Sequence, residues 1–375
     1  MQLPLPGDEV SLASRIRRVA RLNTPLGATK QPYTTRAARH PYIEEMAIAG
    51  DPIARYLRAF DQLRADKHWS HNIATFRFVA LTLGAVGPAI SYDRLNQAAE
   101  ELRTGAHWAS PLHQEIRFVV AAMLLRRQLD PAGIQARVTE TLDGFKARKL
   151  PKLGIGPTLG ALLLTLHSDG RPVAEQDLQR LARIFRQWRK DHFWLTDAND
   201  LPAAALHASR REPVETLTAN MERAYDNLRN AGFRRGNPLQ LASHLLAAHP
   251  QGIDTGVSRF CVIAEQLKSA GESVSTGRYD EIAMLALTQG APQTAVDRVL
   301  RYCERLRQAK PRPSKEVAFS LAAGIELAED TERATKENAG DLTALQSIRA
   351  ILDAQHAAVM VAVSAGTGAA VAASN

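Results

Sequence analysis

One hydrophobic pattern returns seven times along the chain. Four apolar or small residues at i, i+3, i+4 and i+7 occur as Tyr56/Ala59/Phe60/Leu63, Leu95/Ala98/Ala99/Leu102, Val138/Thr141/Leu142/Phe145, Leu181/Ile184/Phe185/Trp188, Met221/Ala224/Tyr225/Leu228, Phe260/Ile263/Ala264/Leu267 and Val299/Tyr302/Cys303/Leu306. Their first members stand 39, 43, 43, 40, 39 and 39 residues apart. Positions three, four and seven apart share one helix face. Each quartet therefore predicts a helix with one buried stripe, helix A of a repeat. A near-constant period in the 20–50 range is the signature of a repeat architecture.

A second, more uniformly apolar segment follows each quartet, at 78–81, 118–122, 161–164, 203–206, 241–246, 282–287 and 317–323. With little polar face, these predict B helices buried on several sides. The links between A and B carry stop and start signals. Gly232 ends one A helix, and Asn237-Pro238 caps and opens the next B helix. Asp200 with Pro202 does the same after the fourth quartet, and Pro311 and Pro313 interrupt the seventh unit. The links also hold Trp69, Trp108, Phe193, Trp194 and Phe233, which are expected to plug the junctions between stacked hairpins.

The pattern predicts an all-α fold of about seven tandem helical hairpins of about 40 residues. They stack as an open α-solenoid or as a curved α/α toroid. An open stack would offer a concave surface to a protein or peptide. A closed one would enclose a central cavity. Three segments follow: a basic, mostly disordered arm over residues 1–45, the repeat domain over 46–330, and a terminal helix with an uncharged Ala-rich tail over 331–375. Five prolines punctuate the arm, and Met46 is an alternative start.

Composition narrows the class. Hydrophobic residues make up 45% of 375, enough for a large core. The net charge is +8; seven Lys/Arg against four Asp/Glu put +3 in residues 1–45 and leave +5 for the body, interleaved with acids. That is a solvated surface and no nucleic-acid footprint is expected. Cys261 and Cys303 lack CxxC or metal-ligand spacing and read as buried thiols of a reducing, cytoplasmic protein. The uncharged stretch 357–375 is long enough to span a bilayer, but its Ala and Gly content and missing aromatic belt argue against a membrane anchor.

Two links hold more polar residues than a repeat needs. One contains His192, Thr196, Asp197, Asn199 and Asp200; the other leads into Asn237, Gln240 and His244, at i, i+3 and i+7 on one face. As structure, Thr196, Asp197, Asn199 and Asp200 are N-cap types, and Asn237 with Gln240 approaches a capping box. His244 then reads as a hydrogen-bonded core histidine. As function, His192, Thr196, Asp200, Asn237, Gln240 and His244 form a shared polar pocket between the fourth and fifth hairpins, for acid–base chemistry or ligand binding. No HExxH, paired Cys/His spacing or GxSxG elbow supports a metal site or a serine triad, and no cofactor is implied. Gly154-Ile155-Gly156-Pro157-Thr158-Leu159-Gly160 misses both nucleotide-loop patterns and reads as a turn opening an apolar helix.

The segments His192…Leu195-Thr196…Asp200…Pro202 and Gly236-Asn237…Leu239-Gln240…Ser243-His244 resemble those of an uncharacterised bacterial family of all-helical proteins, a domain-of-unknown-function family best represented in Gram-positive bacteria. The resemblance covers roughly residues 48–360. It implies the helical fold and no assigned activity; Trp194 and the basic arm depart from it. The expectation is a non-catalytic binding or scaffold protein with a protein or peptide partner. The alternative is a small-molecule-binding protein or enzyme with its site at the paired links.

Overall fold

The computed structural model describes residues 50–65, 73–84, 90–191, 195–210 and 212–337, with side chains to 333. The chain divides into residues 1–45 and 46–375, and all that follows concerns the second unit. The expected N-terminal arm, the uncharged tail, Trp69, His192, Phe193 and Trp194 lie outside the described residues.

Among the described residues, fourteen α-helices form seven A/B hairpins: α1 Pro52–Ala65 and α2 Ile73–Gly84, α3 Tyr92–Gly105 and α4 Ile116–Arg126, α5 Pro131–Ala147 and α6 Ile155–His167, α7 Glu175–Asp191 and α8 Leu201–Ala208, α9 Val214–Asn230 and α10 Asn237–Leu246, α11 Ile253–Ser269 and α12 Tyr279–Ala286, α13 Pro292–Gln308 and α14 Lys315–Glu337. There is no strand among the described residues. Every quartet residue is buried except Ala59, Leu142 and Tyr302, which are half-buried. The A helices bury that stripe and expose the rest. The B helices bury successive positions all round, as in Phe76, Arg77, Phe78, Val79, Ala80 and Leu81. The B helices therefore form an inner layer and the A helices an outer one. α14 runs unbroken past residue 330, so the last B helix continues into the expected terminal segment.

The hairpins close on themselves. α13 packs on α1, and α14 packs on both α1 and α2. Arg305 bonds both carboxylate oxygens of Asp51, at 2.9 and 2.6 Å. Arg55 pairs with Glu329. From the seventh link, the carbonyls of Lys310 and Pro311 accept from Arg64 at 2.9 Å and Arg77 at 2.5 Å. A single apolar cluster runs from Ile53 to Leu327. Of the two stackings the repeat allows, these contacts are those of a toroid.

Local chemistry explains the unit boundaries. Ser91 and Asp130 cap α3 and α5 by accepting from the backbone N–H of Arg94 and Gly133. Gly232, at φ +91°, turns the chain out of α9, and the Phe233 N–H then bonds the Leu228 carbonyl at 3.2 Å. Phe233 is a junction plug as expected, edge-on to Phe260 at 5.0 Å and to Tyr279 at 5.6 Å. Trp108 is not: it is 82% exposed. Its link folds as a short 3₁₀ turn whose buried residues are Pro111 and Leu112, so that junction is filled without the indole. Cys303 is buried as expected, whereas Cys261 is only half-buried, because it lies beside the stripe of α11 rather than on it.

Candidate functional site

The described A-to-B links gather at one end of the ring, where the B helices begin. Neighbouring units pair polar groups there. Thr75 of the first hairpin donates to Glu115 of the second at 2.8 Å, and Ser320 of the seventh donates to Glu281 of the sixth. Between the fourth and fifth, the Gln240 amide donates to the Thr196 hydroxyl at 3.2 Å. That last contact joins two of the residues singled out by the sequence. Both are buried.

Asp200 has a different task. It closes a reciprocal capping box: Asp197 accepts from the Asn199 N–H at 2.7 Å, and Asp200 accepts from the Asp197 N–H at 2.9 Å. Burial pushes the Asp200 carboxyl up to about 7; the Asp197 N–H opposes this and the Asp197 charge adds to it. Asn237 does not join the cluster. It is exposed, and the cap position of α10 is Gly236 at φ +136°, so the expected Asn237/Gln240 capping box is not formed. Only glycine takes that backbone shape readily.

His244 lies deeper. Its ring stacks on Trp188 of α7, with centroids 3.8 Å apart and planes 12° apart. Its carbonyl bonds His207 Nε2 at 2.9 Å. A carbonyl can only accept, so Nε2 of His207 carries the proton. Complete burial pushes the His207 imidazole down to about 3, aided by Arg210, which keeps it neutral. The buried atoms His207 Nδ1, Trp188 Nε1 and Gln240 Oε1 have no hydrogen-bond partner among the described residues. His207 and Trp188 were absent from the expected site. His207 stands in the last turn of α8, after an alanine run, and Trp188 belongs to the fourth apolar quartet. A polar ring nitrogen inside an otherwise apolar stripe was the available signal.

The glycine-rich run sits beside this seam. A Cβ on Gly156 would lie 2.1 Å from the Ala198 carbonyl oxygen, and one on Gly160 would lie 3.1 Å from the Leu201 backbone. These glycines let α6 press against the Asp197–Asp200 turn. Thr158 sits between them and bonds the Gly154 carbonyl at 2.9 Å. The seam is thus a tightly held polar joint, in which burial keeps the Asp200 carboxyl near 7. Among the described residues no three His, Cys, Asp or Glu side chains gather as a metal site would need.

The outer rim of the same end has another character. Trp108 (82% exposed) and Leu153 (55% exposed) stand on adjacent links. Beside them runs a groove lined by His107, Gln135, Leu142, Lys152, Leu153 and Thr158. Among the described residues, the A-to-B links hold eight Lys/Arg against four Asp/Glu, and the B-to-A links hold three of each.

The model of the family described as "Protein of unknown function (DUF4003)" matches residues 59–357, so the chain belongs to that family, in line with the resemblance of the paired links. The chain is 24% identical over 287 residues to the "Uncharacterized protein YeaA" of Bacillus subtilis (strain 168), covering 74% of this chain and 83% of the relative. No solved structure matches the chain. Among the described residues no helix is long and apolar enough to cross a membrane.

Proposed function

We propose that this chain is a non-catalytic, cytoplasmic binding ring that takes a protein or peptide partner on the rim formed by its A-to-B links. The exposure of Trp108 carries the reading. A tryptophan left in water beside an apolar groove is the type of residue that anchors partner surfaces. The residues expected to do chemistry support it from the other side: Thr196 and Gln240 hold each other, Asp200 caps a turn, and His244 stacks in the core. A photo-crosslinking residue at position 108, activated in cells, tests it. The expected result is one discrete heavier adduct, absent when the same residue replaces Arg171 at the opposite end. Equal labelling at both positions, or none, would contradict the reading.

A second reading rests on one observation, the buried Gln240 Oε1 and Trp188 Nε1 left without hydrogen-bond partners among the described residues. It makes the seam a small polar ligand site. Thermal-shift screening with polar metabolites tests it. A stabilising compound whose effect disappears in Gln240→Leu and persists in Trp108→Ala would favour this reading over the first.

A further inference from the structure

We infer that the partner segment is an acidic peptide built around one bulky apolar side chain, seated in the groove between the links of the second and third hairpins. This rests on the protein-binding reading and specifies its chemistry. The groove supplies an apolar wall from Leu142 and Leu153, with the Trp108 indole at its edge, 5.5 Å from the His107 ring. That wall suits a Trp, Phe or Leu anchor.

The charge around it is one-sided. Lys152 lines the groove, and Lys149 is exposed in the same link with φ +57°. Arg186 extends over that link and donates to the Arg148 carbonyl at 2.8 Å. Lys149, Lys152 and Arg186 have no carboxylate partner among the described residues, and Arg148 is satisfied by Glu175. The groove lining contains a single carboxylate, Asp143. Three unneutralised cations around an apolar slot are complementary to carboxylates on either side of an apolar anchor. The rim as a whole is less suited to a nucleic acid. Among the described residues Glu115, Asp197 and Glu272 interrupt its basic residues, so no unbroken cationic stripe is there to follow a phosphate backbone.

The test is panning of a random dodecapeptide library on the full-length chain at physiological salt, with immobilised Trp108→Ser protein as the counter-selection. Recovered sequences are expected to place Asp or Glu on both sides of a Trp, Phe or Leu. The best peptide, synthesised and labelled, should bind at least roughly tenfold more weakly to Trp108→Ser, to Leu153→Ser and to the double variant Lys149→Glu/Lys152→Glu. All of these positions are on the surface, and unchanged melting would separate lost binding from lost fold. Recovered sequences that are neutral or basic would overturn the acidic class while leaving protein binding in place. No enrichment over the counter-selection would overturn both. Displacement of the peptide by oligodeoxythymidylate, lost in the double Lys variant, would reassign the rim to nucleic acid.

Discussion

Arg305, in α13, grips the carboxylate of Asp51, which stands one residue before α1. Partial burial would raise the Asp51 carboxyl, but the Arg305 guanidinium and the Ala54 and Ile53 N–H groups together outweigh it and hold it low. This pair and the better buried Arg55–Glu329 pair turn seven similar hairpins into a ring. Removing Arg305 alone should cost little, under about 1 kcal/mol, because the pair is solvent-screened. Arg305→Ala with Arg55→Ala should cost more than the sum, since both hold one seam. Chemical denaturation of the two single variants and the double variant measures the coupling.

Gly156→Ala should be among the most damaging small substitutions in the chain. The new methyl would meet the backbone carbonyl of Ala198, which no rotamer change can move. A loss of at least about 2 kcal/mol is expected, from overpacking. Gly133→Ala is the comparison, because its Cβ would meet only the Asp130 side chain. Thermal melts that rank the two equally would contradict the close packing of α6 on the Asp197–Asp200 turn.

Two buried groups should pull stability in opposite directions with pH. Asp200, carried from 3.8 to about 7, contributes stability that is complete at low pH and fades as pH rises through 7. The upper bound is about 4 kcal/mol. His207, carried from 6.5 down to about 3, contributes stability above pH 6.5 that is lost as pH falls. Asp200→Asn should therefore gain on the wild type as pH rises from 5 to 8. His207→Gln should gain on it as pH falls from 7 to 4. Melting curves across that range check both signs.

His244→Ala should cost about 2–4 kcal/mol, because it opens a cavity against Trp188. Gln240→Leu should cost less, since it removes an amide whose Oε1 is already without a partner. If Gln240→Leu proves the worse of the two, the polar joint and not the stacked ring holds the fourth and fifth hairpins together.

The A helices were legible because each buries one stripe, and a one-sided stripe leaves a 3.6-residue period in the sequence. The B helices were legible from the opposite property, an apolar run with no polar face. Closure of the ring was not. Asp51 with Arg305 and Arg55 with Glu329 each lie more than 250 residues apart and recur nowhere else, so no period announces them. Within the site, the meeting of Thr196 and Gln240 followed from the adjacency of their links. Asn237 was misread because a Gly-Asn pair offers two capping residues, and the glycine took the position that needs positive φ. Trp108 was read as a plug because aromatics in links usually pack. What the sequence conceals is that Pro111 and Leu112 fill that junction first.

Closure itself is tested most directly by the distance between the first and last outer helices. With Cys261 and Cys303 replaced by Ala, spin labels at the exposed positions 58 and 301 report it by pulsed electron resonance. In a ring these two helices are neighbours, about 10 Å apart at their axes, and the labels should fall within roughly 25 Å. An open stack of seven hairpins would separate them by roughly 60 Å. A single narrow short-distance peak is the expected result; a dominant long-distance population would contradict the closed toroid.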